Sequence, residues 1–146
     1  MPESTSSTIR INASAARVMG VISDLAAYPE WTGSVKSVEI HSVYDDADER
    51  PAEATFVLDA GAIKDTYTLQ YLWDGDKAVS WTLASAQILT ALDGAYRLVA
   101  TADGETDVEY ELSLELKIPM IGLLRRKAEK VVIDTALKEL KKRVEG

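Results

Sequence analysis

Asp107-Val108-Glu109-Tyr110-Glu111-Leu112-Ser113-Leu114-Glu115-Leu116 decides the fold. Every even position is apolar and every odd one polar, the period-two signature of a strand with one wet face and one buried face. A long basic amphipathic segment, Gly122 to Val144, follows almost at once. An antiparallel sheet closing over one long terminal helix is the architecture this pair predicts. Leu124, Ala128, Val131, Val132, Thr135, Ala136 and Leu140 are the expected apolar face of that helix.

Working back toward the start, the same alternation recurs. Ile9 and Ile11 mark a first strand over Ser6–Asn12. Asn12 or Ser14 is placed to cap a helix running to about Leu25, with Ala15, Val18, Ile22 and Leu25 on one face. Tyr28-Pro29-Glu30-Trp31 then turns the chain, because proline disfavours helix in the residue before it. Strands are expected at Val35–Val43, with Val38 and Ile40 inward, and at Ala52–Ala60. Gly61 turns the chain into a strand over Ile63–Trp73, with Tyr67, Leu69, Tyr71 and Trp73 on one face. Asp74-Gly75 signals a two-residue hairpin into a strand carrying Val79, Trp81 and Leu83. Asp93-Gly94 reads either as a turn or as a bulge within one long strand holding Leu92, Tyr96 and Leu98. Asp103-Gly104 is a cleaner turn.

The 146 residues fit a single domain, 1–146, with 47% hydrophobic and 27% charged residues. Net charge is −8, divided into −12 over residues 1–124 and +4 over 125–146. An acidic body repels phosphate backbones, so no nucleic-acid partner is expected. Cysteine is absent, which removes disulfides, thiolate metal sites and a cysteine nucleophile. No apolar run approaches ~20 residues. The polar start lacks the order of a signal peptide, and the cytoplasm is the expected location.

Metal and triad chemistry find little support. His41 is the one histidine. Its parity places it with Glu39 on an outer face, and no nucleophile elbow surrounds any serine. Asp45-Asp46-Ala47-Asp48-Glu49 lacks the spacing of a calcium loop and reads as a solvated hairpin loop. No metal and no cofactor are expected. Asp65 is the one acid with inward parity, and so a weak catalytic candidate. The plainer expectation leaves it wet at a strand end. Thr90 and Thr135 are lesser polar candidates.

The aromatic census says more. One Phe stands against 6 Tyr and 3 Trp. A dry core favours Phe, because Tyr and Trp bring a polar atom that needs a partner. Tyr67, Tyr71, Trp81, Tyr96 and Tyr110 all have inward parity, beside the small Ala52, Ala54 and Ala60. This mixture suits a cavity for a partly polar, ring-containing molecule. The expected lining is Trp31, Val38, Phe56, Leu58, Tyr67, Leu69, Tyr71, Trp81, Tyr96, Tyr110 and Leu112 from sheet and corner. Leu124, Ala128, Val132 and Thr135 complete it from the helix. Met120, Ile121, Leu123 and Leu124 are expected to pack under the helix start. Closing the cavity, or weakly touching a membrane surface, are their alternatives.

Ser23-Asp24-Leu25 followed by Tyr28-Pro29-Glu30-Trp31 resembles the START-like, Bet v 1-like (SRPBCC) superfamily. Within it, the polyketide cyclase/dehydrase and lipid-transport group is the nearest pattern. Leu92-Asp93-Gly94-Ala95-Tyr96-Arg97-Leu98 and Ile118-Pro119 through Gly122-Leu123-Leu124-Arg125-Arg126 share the resemblance, which spans essentially the whole chain. It implies an α+β helix-grip fold: a curved antiparallel sheet of six to seven strands, a long C-terminal helix, and two short helices after strand 1. It implies that Asp93-Gly94 lies within a strand. It also implies an internal cavity for a hydrophobic small molecule, polyketide- or lipid-like. A cyclase or dehydratase activity and a lipid carrier are the alternatives, and no catalytic residue carries over. A monomer is expected, with a dimer left open.

Overall fold

The computed structural model describes residues 4–59, 64–118 and 121–146. Seven strands form one antiparallel sheet: β1 (Thr5–Ile11), β2 (Val35–Val43), β3 (Pro51–Asp59), β4 (Lys64–Asp74), β5 (Ala78–Ser85), β6 (Leu89–Ala100) and β7 (Thr106–Leu116). Their order across the sheet is β1-β7-β6-β5-β4-β3-β2. Sequential hairpins thus run from β2 to β7, and β1 pairs with β7, Ile9 opposite Val108. Expected turn and strand residues Ala60, Gly61, Ile63 and Pro119, and Met120 of the expected cluster, lie outside the described residues.

Between β1 and β2 lie α1 (Ala15–Ser23), a 3-10 turn (Leu25–Ala27) and the one-turn helix α2 (Tyr28–Trp31). Ser14 rather than Asn12 is the cap, its Oγ accepting from the Arg17 N–H at 3.2 Å. Tyr28-Pro29-Glu30-Trp31 turns the chain as one helical turn, the second of the two short helices expected after strand 1. Pro29 sits in the first turn, where a missing N–H costs no intrahelical bond.

The Asp74-Gly75 hairpin stands where expected, but its loop is longer: Gly75, Asp76 and Lys77 make the turn, with Gly75 at φ +52°. Asp93-Gly94 is no turn. Both lie within β6, Gly94 opposite Trp81 on one side and Leu112 on the other. A Cβ on Gly94 would stand 2.5 Å from Trp81 Cζ2 and 2.8 Å from the Glu111 carbonyl. The glycine therefore makes room for the indole. The irregularity in β6 falls instead between Leu89 and Ala91.

The long helix α3 spans Gly122–Glu145, about 36 Å at 1.5 Å per residue. It runs beside β1 and β7 and meets α1 and α2. Its buried stripe is Glu129, Ile133, Leu137, Leu140 and Val144. Those positions recur at i+4, i+8, i+11 and i+15, one face of a 3.6-residue helix. The expected face was rotated away from this stripe: Leu124, Val131, Val132 and Thr135 are exposed. The stripe takes in Ile133 and Leu137, outside the expected face, together with the acidic Glu129. Glu129 is fully buried, accepting from Thr5 Oγ1 at 2.7 Å and from the Leu114 N–H at 2.7 Å. The carboxylate satisfies a β7 amide just beyond the residue paired with Thr5, the first residue of β1.

Candidate functional site

The concave face of the sheet carries a continuous arc of aromatic rings. Tyr28 meets Trp31 edge-on, with centroids 4.9 Å apart. Phe56 stacks on Tyr67 at 5.4 Å. Tyr71 lies 6.0 Å from Trp81, and Trp81 lies 5.6 Å from both Tyr96 and Tyr110. Tyr96 and Tyr110 close the arc at 4.6 Å. Period-two alternation on five adjacent strands puts these rings on one face, and antiparallel register sets them side by side: Phe56 opposite Tyr67, Tyr71 opposite Trp81, Tyr96 opposite Tyr110.

The tips of these rings matter most. Tyr67, Tyr71, Tyr96 and Tyr110 are each 5–8% exposed. Among the described residues, none of their four hydroxyls has a hydrogen-bond partner. None is among the polar atoms sealed from solvent either. Each hydroxyl therefore opens onto space that water can reach. Burial pushes all four phenols well above their ordinary range. The charge of a neighbour adds to the push: Asp65 on Tyr67, Tyr67 on Tyr71, Tyr28 on Tyr96, and Tyr96 on Tyr110. The hydroxyls thus lie close together and stay protonated at physiological pH. Tyr28 differs, donating to the Ile22 carbonyl at 2.6 Å. Trp31 is partly buried, with its Nε1 sealed and unpartnered among the described residues.

Of the expected lining, Phe56, Tyr67, Leu69, Tyr71, Trp81, Tyr96, Tyr110 and Leu112 are buried on the core face. Trp31, Val38, Leu58 and Ala128 are partly buried against it. Leu124, Val132 and Thr135 are exposed, as is Thr90. Ile40 is exposed too, at an irregularity in the edge strand β2. Ile121, Leu123 and Leu124 do not pack under the helix start: all three stand in solvent.

Asp65 is neither wet nor a free acid. It is 4% exposed, and its two oxygens accept four backbone N–H groups: Thr66 at 2.7 Å, Gln87 at 3.0 Å, Ile88 at 3.0 Å and Leu89 at 2.9 Å. Burial alone would raise its pKa, but the four donors outweigh it and hold the carboxyl below its ordinary range. It anchors the segment between β5 and β6 as a carboxylate at physiological pH. His41 lies on the exposed outer side, its Nε2 2.6 Å from Thr55 Oγ1. Asp46 caps its own loop, accepting from the Asp48 and Glu49 amides.

Two clefts stand out among the described residues. One of about 340 Å³ opens on the outer side where the β3–β4 ladder ends, between Ser42, Tyr44, Glu53, Gln70 and Leu72, and reaches the backs of Tyr71 and Trp81. The other, about 480 Å³, lies between the start of α1 and the end of α3, at Asn12, Arg17 and Glu145.

A curved seven-stranded antiparallel sheet, gripping one terminal helix and lined by rings, defines the START/Bet v 1-like fold. A START superfamily protein from Mycobacterium smegmatis superposes with a TM-score of 0.90 at 22% identity, covering 97% of both chains. The Zhui aromatase/cyclase from Streptomyces sp. R1128 superposes at 0.79 with 14% identity, over 99% of this chain and 94% of its own. A third solved structure, TTHA0849 from Thermus thermophilus, gives 0.78 at 22% identity, covering 97% of each chain. No curated protein sequence matches. The chain belongs to the polyketide cyclase/dehydrase and lipid transport family, whose model matches residues 11–141.

Proposed function

We propose that the protein binds a hydrophobic, ring-containing small molecule between the concave sheet face and α3, with phenol donors meeting its carbonyl or ether oxygens. The observation that carries this reading is the set of four buried tyrosines whose hydroxyls lack protein partners among the described residues. Water reaches these hydroxyls in the empty protein, and a guest that displaced it without offering acceptors would strand them at about 1–3 kcal/mol each. A guest with oxygen acceptors offsets that cost, and its rings gain ~25 cal/mol per Å² of apolar surface removed from water. Because the phenols keep their protons, they act as donors and select for acceptors.

The same donors support a second reading as an aromatase/cyclase-type enzyme, as the structural neighbour Zhui is named. Catalysis there would rest on holding a flexible chain in a reactive shape, with phenol protons polarising its carbonyls. Asp65 takes no part, since its oxygens are already saturated.

Titration with a fluorescent aromatic ketone tests the binding reading. Tyr67→Phe and Tyr110→Phe keep the rings and remove one donor each. Each is expected to weaken uptake about three- to tenfold while leaving cooperative unfolding intact. Equal uptake by wild type and both variants overturns the reading. Turnover of a poly-β-ketone chain, slowed by the same variants, separates enzyme from binder.

A further inference from the structure

The start of α3 presents a surface unlike the rest of the molecule. Ile118, Ile121, Leu123 and Leu124 are 54–78% exposed within seven residues of chain. Ile88 is exposed as well, and its carbonyl accepts from the Lys117 N–H at 2.8 Å, next to Ile118 in the chain. Such a cluster of large apolar side chains on a protein surface marks a contact site.

The charges around it agree. The first turn of α3 holds no acidic residue, and Arg125, Arg126 and Lys127 follow directly. Cations near a helix N-terminus oppose the macrodipole, so this placement weakens the helix rather than supporting it. By contrast Lys142 and Arg143 stand in the last turn, where the dipole favours them. Many cations are engaged in pairs, such as Arg10 with Asp107, Arg97 with Glu109 and Glu111, and, at this end of α3 itself, Arg125 with Glu115 at 3.4 Å. No described ion pair engages Lys117 or Lys127, both exposed beside the apolar cluster.

We infer that this end of the molecule docks on an anionic lipid bilayer. Leu123, Leu124, Ile118 and Ile121 enter the headgroup boundary, while Lys117 and Lys127 meet lipid phosphates and carboxylates. Protruding apolar side chains ringed by exposed cations suit a fluid interface. The charge of −12 over residues 1–124 supplies the orientation: an anionic surface repels the body and attracts this basic end. The inference stands independently of what the aromatic arc binds.

Sedimentation of the full chain with vesicles tests it. Vesicles of equal parts phosphatidylcholine and phosphatidylserine are expected to carry the protein down, and phosphatidylcholine alone is not. Lys127→Ala should lower partitioning about fivefold, and raised salt should release the wild type. Leu123→Ser with Leu124→Ser should abolish sedimentation with an unchanged unfolding midpoint, since both side chains are exposed. The inference is overturned if the wild type stays in solution with the mixed vesicles, or if the leucine variant sediments equally. A concentration-dependent dimer dissolved by the leucine variant, without vesicle binding, also overturns it and assigns the patch to self-association.

Discussion

Gly94 and Asp65 show how single positions hold the site's walls. Gly94→Ala places a methyl within 2.5 Å of Trp81 and 2.8 Å of a backbone carbonyl. The strand cannot yield without breaking register with β7, so the indole must move. A loss of about 1–3 kcal/mol is expected, with a shifted tryptophan emission maximum; urea titration followed by fluorescence measures both. Asp65→Ala leaves four amides, at Thr66, Gln87, Ile88 and Leu89, without their acceptor. Several kilocalories per mole should go, about 3–5 for stranding buried partners of a charged group, together with hydrogen-exchange protection at Leu89. Asp65→Asn keeps one carbonyl oxygen and should lose less.

At the level of elements, alternation made the sheet readable. β2, β4 and β7 fall within a residue of the expected bounds, because period two survives wherever one face is wet. The aromatic arc follows from the same parity, and so most of the sheet residues buried on the core face were legible. α3 was readable in extent but not in rotation. Its buried stripe contains Glu129, and a charged residue in a buried stripe defeats a hydrophobicity count. Nothing in the sequence near Glu129 announces Thr5 and Leu114 as its partners, which are distant along the chain. The setting of Asp65 is hidden for the same reason: three of its four amides come from Gln87, Ile88 and Leu89, in the β5–β6 connection and at the start of β6. Glu129→Leu tests the role assigned to the glutamate. It retains bulk but removes the acceptor for the Leu114 N–H, and should cost about 1–3 kcal/mol with faster exchange at that amide. The β2 edge strand is irregular near Val35 and between Ile40 and Val43, and such bulges discourage pairing with another chain.

Across the whole molecule, carboxylates with depressed pKa values make stability depend on acid. Asp65, Asp107 and Asp134 are each held below the ordinary aspartate value of 3.8, and Glu111 and Glu145 below the glutamate value of 4.5. The unfolded chain therefore takes up protons before the folded one does. This stabilisation is complete above about pH 5 and is lost as pH falls through the folded-state values. Asp65 should dominate, because the ion pairs of Asp107, Asp134 and Glu145 are exposed to solvent and screened. The urea midpoint of the wild type is expected to drop steeply below about pH 4, and that of Asp65→Asn to drop less. No helix among the described residues is long and apolar enough to cross a bilayer.

Trp81 stands among Tyr71, Tyr96 and Tyr110, each about 6 Å away or less. Excitation absorbed by those phenols passes to the indole over so short a path. An occupant of the groove that absorbs near the indole's emission would intercept that energy. Were the guest proposed above to settle there, the yield of sensitised light would report its arrival with no label attached.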